Sequence, residues 1–251
     1  MHDAAARRID DLTARAHRAA WSTRAIDWWA LSPVAPGGAD QATYIDTVSQ
    51  LFHAAKAELA MVQALAAVVP EACARRFLAT QASDVERHAQ VYRGYLERLG
   101  DVAPIDPQLQ AVVAAARAWA GPPWVQVAAL HVVLAQGVLP GQARRIERWP
   151  CRLLRQINQR VAVDGARHAS FGQAYLAAVV PTIADAERRA AVAWLGELWT
   201  LWSAAARGRD HRGSGLHPDA AGLAQAWILI RARLARAGLT VDDAAGQRRS
   251  A

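Results

Sequence analysis

An all-α fold is what this sequence predicts, on three observations. Ala, Leu, Arg and Val dominate the composition. Apolar residues return every three or four positions over long stretches, with little alternation at period two. Prolines gather at the edges of those stretches. With 251 residues, 53% hydrophobic and 20% charged, the chain can bury one substantial core and demands no second domain.

Taken in order, residues 3 to 22 predict a helix with Ile9 and Leu12 on one side. Ile26-Asp27-Trp28-Trp29 follows, then a Pro/Gly loop from Ser32 to Gly38, so residues 1–40 read as a helix and arm. The adjacent tryptophans face different ways, so at least one must cap the core from outside its main seam. Residues 41–206 read as a helical bundle. Its first long helix spans about Gln41 to Val69, and its seam is Leu51, Ala55, Glu58, Val62 and Leu65. Pro70 suits the first turn of the second long helix, which stops before Gly100. A loop with Pro104 and Pro107, a short Ala-rich helix and Gly121-Pro-Pro lead to the third, where Val125, Ala129, Val132 or Val133 and Gln136 share a face. The fourth begins after Pro150. Pro181 separates it from a fifth, with Trp194, Leu198 and Trp202. A polar loop and a last amphipathic helix fill 207–238, and 239–251 reads as a disordered tail.

Two of these helices carry the same motif. Asp84-Val-Glu-Arg-His88-Ala lies on the second and Asp164-Gly-Ala-Arg-His168-Ala on the fourth. Asp and His four apart sit on one helical face. That face is the seam, because Phe77, Gln81, Asp84, His88, Val91 and Tyr95 step alternately by four and three, as do Leu154, Ile157, Val161, Asp164, His168, Phe171 and Tyr175. Burying such groups costs several kcal/mol unless they find partners. The two pairs can supply each other, and Gln81 can bond Asp84. Four long helices thus each place a polar group inward: Glu58, Asp84/His88, Gln136 and Asp164/His168. At matched depth they predict a functional cluster in the bundle core.

The net charge of +7 comes almost wholly from arginine, densest at Arg144, Arg145, Arg148, Arg152, Arg155 and Arg160. Such a stretch suits an anionic or carrier-bound substrate, yet no aromatic interleaving or nucleic-acid motif accompanies it, and a solvated helix face is the simpler account. No nucleic-acid or membrane partner is expected. The apolar run Trp124 to Leu139 is interrupted by Gln126, His131 and Gln136 and is short for a bilayer. Cys73 and Cys151 make neither a disulfide framework nor metal-type spacing, and the arginine-bearing first twenty residues are unlike a secretory signal, so the cytoplasm is expected. An exposed tryptophan patch would favour a homodimer.

From about Tyr44 to Val180, helix order, motif spacing and Arg167-His168-Ala-Ser-Phe-Gly-Gln-Ala-Tyr-Leu resemble the ferritin-like superfamily. The likeness is to the branch of the ribonucleotide reductase small subunit, its ligand-binding oxidase relatives and the bacterial N-oxygenases. The resemblance implies a ferritin-like four-helix bundle with extra N- and C-terminal helices. It also implies a two-metal site made by a carboxylate on the first helix, Glu-x-x-His on the second, Glu on the third and Glu-x-x-His on the fourth. Glu58, His88 and His168 match three ligands. Val85, Gly165 and Gln136 stand where the other carboxylates belong, and Asp84 and Asp164 match the aspartates that orient ligand histidines. One carboxylate cannot balance two ions in a low-dielectric core, so ordinary di-iron chemistry is not expected.

Three chemistries stay open. Glu58, His88 and His168, with Gln136 as a further donor, have the composition of a mononuclear 2-His-1-carboxylate site for one iron, manganese or copper ion. That would make an oxidase or oxygenase of specialised metabolism acting on a small molecule. Alternatively, without metal, a His–Asp pair beside Glu58 suits a lyase, isomerase or cyclase. The third is a non-catalytic binding protein. Val85 and Gly165 would leave room for the molecule, and Tyr92 and Tyr175 could line its pocket. His53 and His131 read as boundary or core residues.

Overall fold

The computed structural model describes residue 1 and residues 3–29, 39–135, 151–208 and 219–241. Among them are eight α-helices and no strand, so the protein is all-α as expected. They are α1 (Asp3–Ala19), α2 (Ala39–Val68), α3 (Ala72–Leu99), α4 (Pro107–Arg117), α5 (Pro123–Ala128), α6 (Arg152–Val179), α7 (Asp185–Gly208) and α8 (Ala220–Arg236). Helix α5 runs on directly as a π-helix, Ala129–Leu134. Gln136, Arg144, Arg145 and Arg148 lie outside the described residues.

Helix ends follow local chemistry. The Asp106 carboxylate accepts the N–H groups of Gln108 and Leu109 with Pro107 at the first position, and Asp219 caps Gly222. Gly100 stops α3 at φ 148°, a conformation side chains disfavour. Pro70 is not in the first turn of α3, which starts at Ala72. The Arg75 guanidinium turns back to the carbonyls of Val69 and Pro70 and closes the end of α2, so Pro70 belongs to the connection. Helix α1 ends at Ala19, earlier than its pattern suggests, and this frees Trp21 to leave the helical path.

The α2–α3 hairpin is the most extensive helix pair, α3 also packs on α6, and α1 crosses both α3 and α6. Two large apolar clusters and a small third one, Ala55 with Val85 and Ala89, result. The larger joins Val62, Phe77, Val125, Phe171, Tyr175, Leu198 and Ile230; the smaller joins Val48, Tyr92, Tyr95, Leu154, Ile157 and Val161. On α3 and α6 the polar residues fall between these two, so the fold sandwiches one polar layer between two dry ones. Chain packing also extends into the expected tail, since Leu239 is buried in the larger cluster. Trp29 is 87% exposed, whereas Trp28 packs against Gly94 and under the Arg98 guanidinium, 4.4 Å from the ring centre. Between Tyr44 and Val68, α2 is long and apolar enough to cross a membrane by length and composition, a test that core helices of bundles pass as well.

Candidate functional site

The two D-x-x-R-H motifs meet across the α3–α6 contact, and each histidine bonds the aspartate of the other helix. His88 Nε2 lies 2.9 Å from Asp164 Oδ2, and His168 Nε2 lies 3.0 Å from Asp84 Oδ2. All four residues are buried. Arg167 ties the pairs together, donating to Asp84 Oδ2 at 2.7 Å and to Asp164 Oδ1 at 2.6 Å. Arg87 donates to Asp84, and Trp21 Nε1 donates to Asp164 at 3.0 Å. The Trp21 ring stacks near His88 and lies under Arg87 and Arg160, each 5.5 Å from its centre. Arg167, Arg87 and Trp21 carry no role in the sequence reading, although both arginines are spelled out in the repeated motif.

These contacts fix the protons. Burial pushes both aspartates up, but it is outweighed: for Asp84 by the bond from His168 and by Arg167, for Asp164 by His88, Trp21 and Arg167. Both end below the usual carboxylate range. An ionised carboxylate only accepts, so each facing Nε2 must carry a proton. In the neutral form each imidazole therefore presents Nδ1 as a bare lone pair, and the aspartates hold that tautomer.

Glu58 enters from α2, with its side chain 33% exposed, so it sits at the edge of the buried layer. Its Oε1 is 3.9 Å from His168 Nδ1, beyond hydrogen-bond range. The expected Gln81–Asp84 bond does not form, because Gln81 reaches across to α2 and the π-helix instead. Its amide Nε2 donates to Glu58 Oε1 at 3.1 Å, and its Oε1 lies 2.9 Å from His131 Nε2. His131 is fully enclosed, and burial pushes its pKa down to about 3, so the ring is neutral. Its Nδ1 also faces an oxygen, the Val127 carbonyl at 3.0 Å. A neutral ring has one N–H for these two oxygens. The string Glu58–Gln81–His131 is thus one proton short. His131 gets this close because residue 172 is glycine: a Cβ there would collide with the His131 Cβ. A π-helix at a polar cluster is a recurrent feature of functional sites.

Glu58, Gln81, His88, His131 and His168 line a cavity of about 150 Å³, whose remaining wall includes Met61, Leu109, Val112, Val113, Leu130, Gly165 and Trp202. Gly165 is among the lining residues. Val85, by contrast, is buried beside Ala55 and Ala89. Tyr92 donates to Asn158 and Tyr175 to Glu71, and neither is among the lining residues. His53 bonds the Ala103 carbonyl, away from the cavity, while His131, read from sequence as boundary or core, is part of the site. Its signal was its coincidence in chain position with a polar interruption of the most apolar run.

As a metal centre the donors fit poorly. Val85 and Gly165 stand where the ferritin-like resemblance would call for carboxylates, and among the described residues no group of three His, Cys, Asp or Glu is arranged to hold an ion. The His88 and His168 ring centres are 6.2 Å apart. An ion bonded about 2.1 Å from an imidazole nitrogen lies about 3.2 Å from the ring centre. Two neighbouring ligands on one ion would then bring the ring centres to within about 5 Å. The two rings would have to move together to serve as neighbouring ligands of one ion.

Compared with known proteins, the chain matches no family model, no curated protein and no solved structure.

Proposed function

We propose that this protein is a small-molecule enzyme that moves a proton on a substrate held in the cavity, on a bundle of ferritin-like descent that no longer needs a metal pair. His168 is the base: Nδ1 takes a proton from the substrate, whose electron pair stays behind, and returns it at the same or a neighbouring atom. Asp84, behind Nε2, orients the ring and stabilises the imidazolium that forms. Glu58 faces the same gap, and the Gln81 amide N–H that it accepts holds its carboxylate there. This corresponds to a lyase, isomerase or cyclase. The observation that carries it is the crossed His–Asp pairing, which in the neutral ring aims a lone pair rather than an N–H at the cavity.

The test is deuterium wash-in. A panel of small C–H-acidic compounds is incubated with the protein in D₂O and followed by NMR. Exchange of at least one compound, lost in His168→Gln and unaffected by chelators, is expected. Exchange that survives His168→Gln, or that chelators abolish, defeats the reading.

A second reading has its own observation. The 3.9 Å between Glu58 Oε1 and His168 Nδ1 lies within the roughly 4.2 Å that two donors on opposite sides of one ion can span. A single iron, manganese or copper ion there would make the protein a mononuclear oxidase or oxygenase. About one equivalent of metal in protein purified without chelators, lost in Glu58→Gln, would favour it.

A further inference from the structure

We propose that the occupant of the cavity is an organic cation: a primary or secondary ammonium group on an apolar body about the size of one aromatic ring. The proposal deepens the proton-transfer reading of the same cavity and rests on it.

The polar end of the cavity is built from acceptors. In the proton-transfer reading His88 and His168 rest neutral, and with their Nε2–H groups bound to Asp164 and Asp84 the rings then have only Nδ1 lone pairs left to offer. Glu58 presents a carboxylate, and the amide N–H that Gln81 directs there is already spent on it. The one hydrogen bond recorded at the gap between Glu58 and His168 is that from Gln81, and none reaches His168 Nδ1 among the described residues. Two acceptors 3.9 Å apart, each about 2.9 Å from a common nitrogen, subtend roughly a right angle there. One ammonium can serve both, whereas a carboxylate or carbonyl ligand would meet only lone pairs.

Charge points the same way. With both imidazoles neutral, as the proton-transfer reading has them, Asp84 and Asp164 are met by Arg87 and Arg167, and among the described residues no arginine or lysine pairs with Glu58. A ligand that brings a positive charge and N–H groups supplies that partner. The rest of the wall, Met61, Leu109, Val112, Val113, Leu130 and Trp202, is apolar and suits a hydrocarbon body. A cavity of this volume accommodates one benzene ring.

The test compares three probes of one shape, benzylammonium, benzyl alcohol and benzoate, by calorimetry and by the imidazole signals of His168 in long-range ¹H–¹⁵N spectra. Benzylammonium is expected to bind and shift His168, benzyl alcohol to bind at least tenfold more weakly, and benzoate not to bind. Glu58→Gln should erase the preference for the cation. Val112→Phe, which fills the apolar end and leaves every polar group in place, should block binding altogether. If the alcohol or benzoate binds as well as the ammonium, with His168 responding, the cavity is a site but the ligand class is wrong. If no probe moves His168, the cavity is not a binding site and the proton-transfer reading falls too. Zn(II) and Mn(II), titrated alone, form the last arm: one-equivalent uptake that benzylammonium cannot displace assigns the missing charge to a metal ion and overturns the organic ligand.

Discussion

The two halves of the site share a motif, yet one is closed and the other open. Around His88, the positions three before and four after hold Val85 and Tyr92, which fill their own space. Around His168 the same positions hold Gly165 and Gly172. Gly165 opens onto the cavity and Gly172 admits His131. The arginines differ as well: Arg167, with 8% of its side chain exposed, grips both aspartates, while Arg87, at 16%, grips Asp84 and lies over Trp21. The first motif therefore shows the cavity only His88, whereas the second shows it His168 and the space beside Gly165. A repeated sequence does not make a repeated environment; what packs against each copy decides its role.

The largest expected effect sets the two arginines against each other. Arg167→Met leaves two buried carboxylates without their shared cation and should cost about 3–5 kcal/mol, whereas Arg87→Met, at the margin of the layer, should cost about 1 kcal/mol. Urea unfolding measures both, and equal losses would refute the asymmetry.

Gly172→Ala comes next. The added methyl collides with His131, so a loss of about 1–3 kcal/mol is expected, together with a shifted His131 signal. Gly196→Ala is the control, since nothing lies within 4 Å of its would-be Cβ and the helix should gain about 0.5–1 kcal/mol.

The open half should also govern acid sensitivity. His131 has a folded pKa of about 3, below its unfolded value. The unfolded chain therefore takes up the proton first, and stability falls as pH drops below about 6.5. Between pH 7 and pH 5 the loss from this one residue should be about 2 kcal/mol, and His131→Gln should remove it. The aspartates act lower. Their depressed folded pKa values give stability that is fully present above about pH 4 and is lost as pH falls further through the folded values. A denaturation midpoint that stays flat from pH 7 to pH 5 in the wild type would contradict the burial of a neutral His131.

The smallest effect belongs to the closed half. Trp21→Phe removes one N–H bond to Asp164 and part of the stacking with Arg87 and Arg160, for about 1 kcal/mol. It should leave binding in the cavity unchanged, which the benzylammonium titration would check.

Much of this was legible in the sequence, because helical periodicity is a local property. The heptad-like steps placed Phe77, Gln81, Asp84, His88, Val91 and Tyr95, and likewise Leu154 through Tyr175, on buried faces, and all are buried. The same steps put Glu58 on the seam of α2, where it lies at the edge of the layer. What periodicity cannot give is the partner. It could not tell that His88 would bond Asp164 rather than a metal-side neighbour, that Gln81 would turn from Asp84 to Glu58 and His131, or that Trp21 would leave its helix to reach Asp164. By itself the sequence determined the helices, their inward faces and the polar residues buried there, since these follow from chain geometry and the cost of burial. Only the tertiary structure decided which lone pair faces the cavity, because that depends on which donors and acceptors from distant segments come within 3 Å of one another.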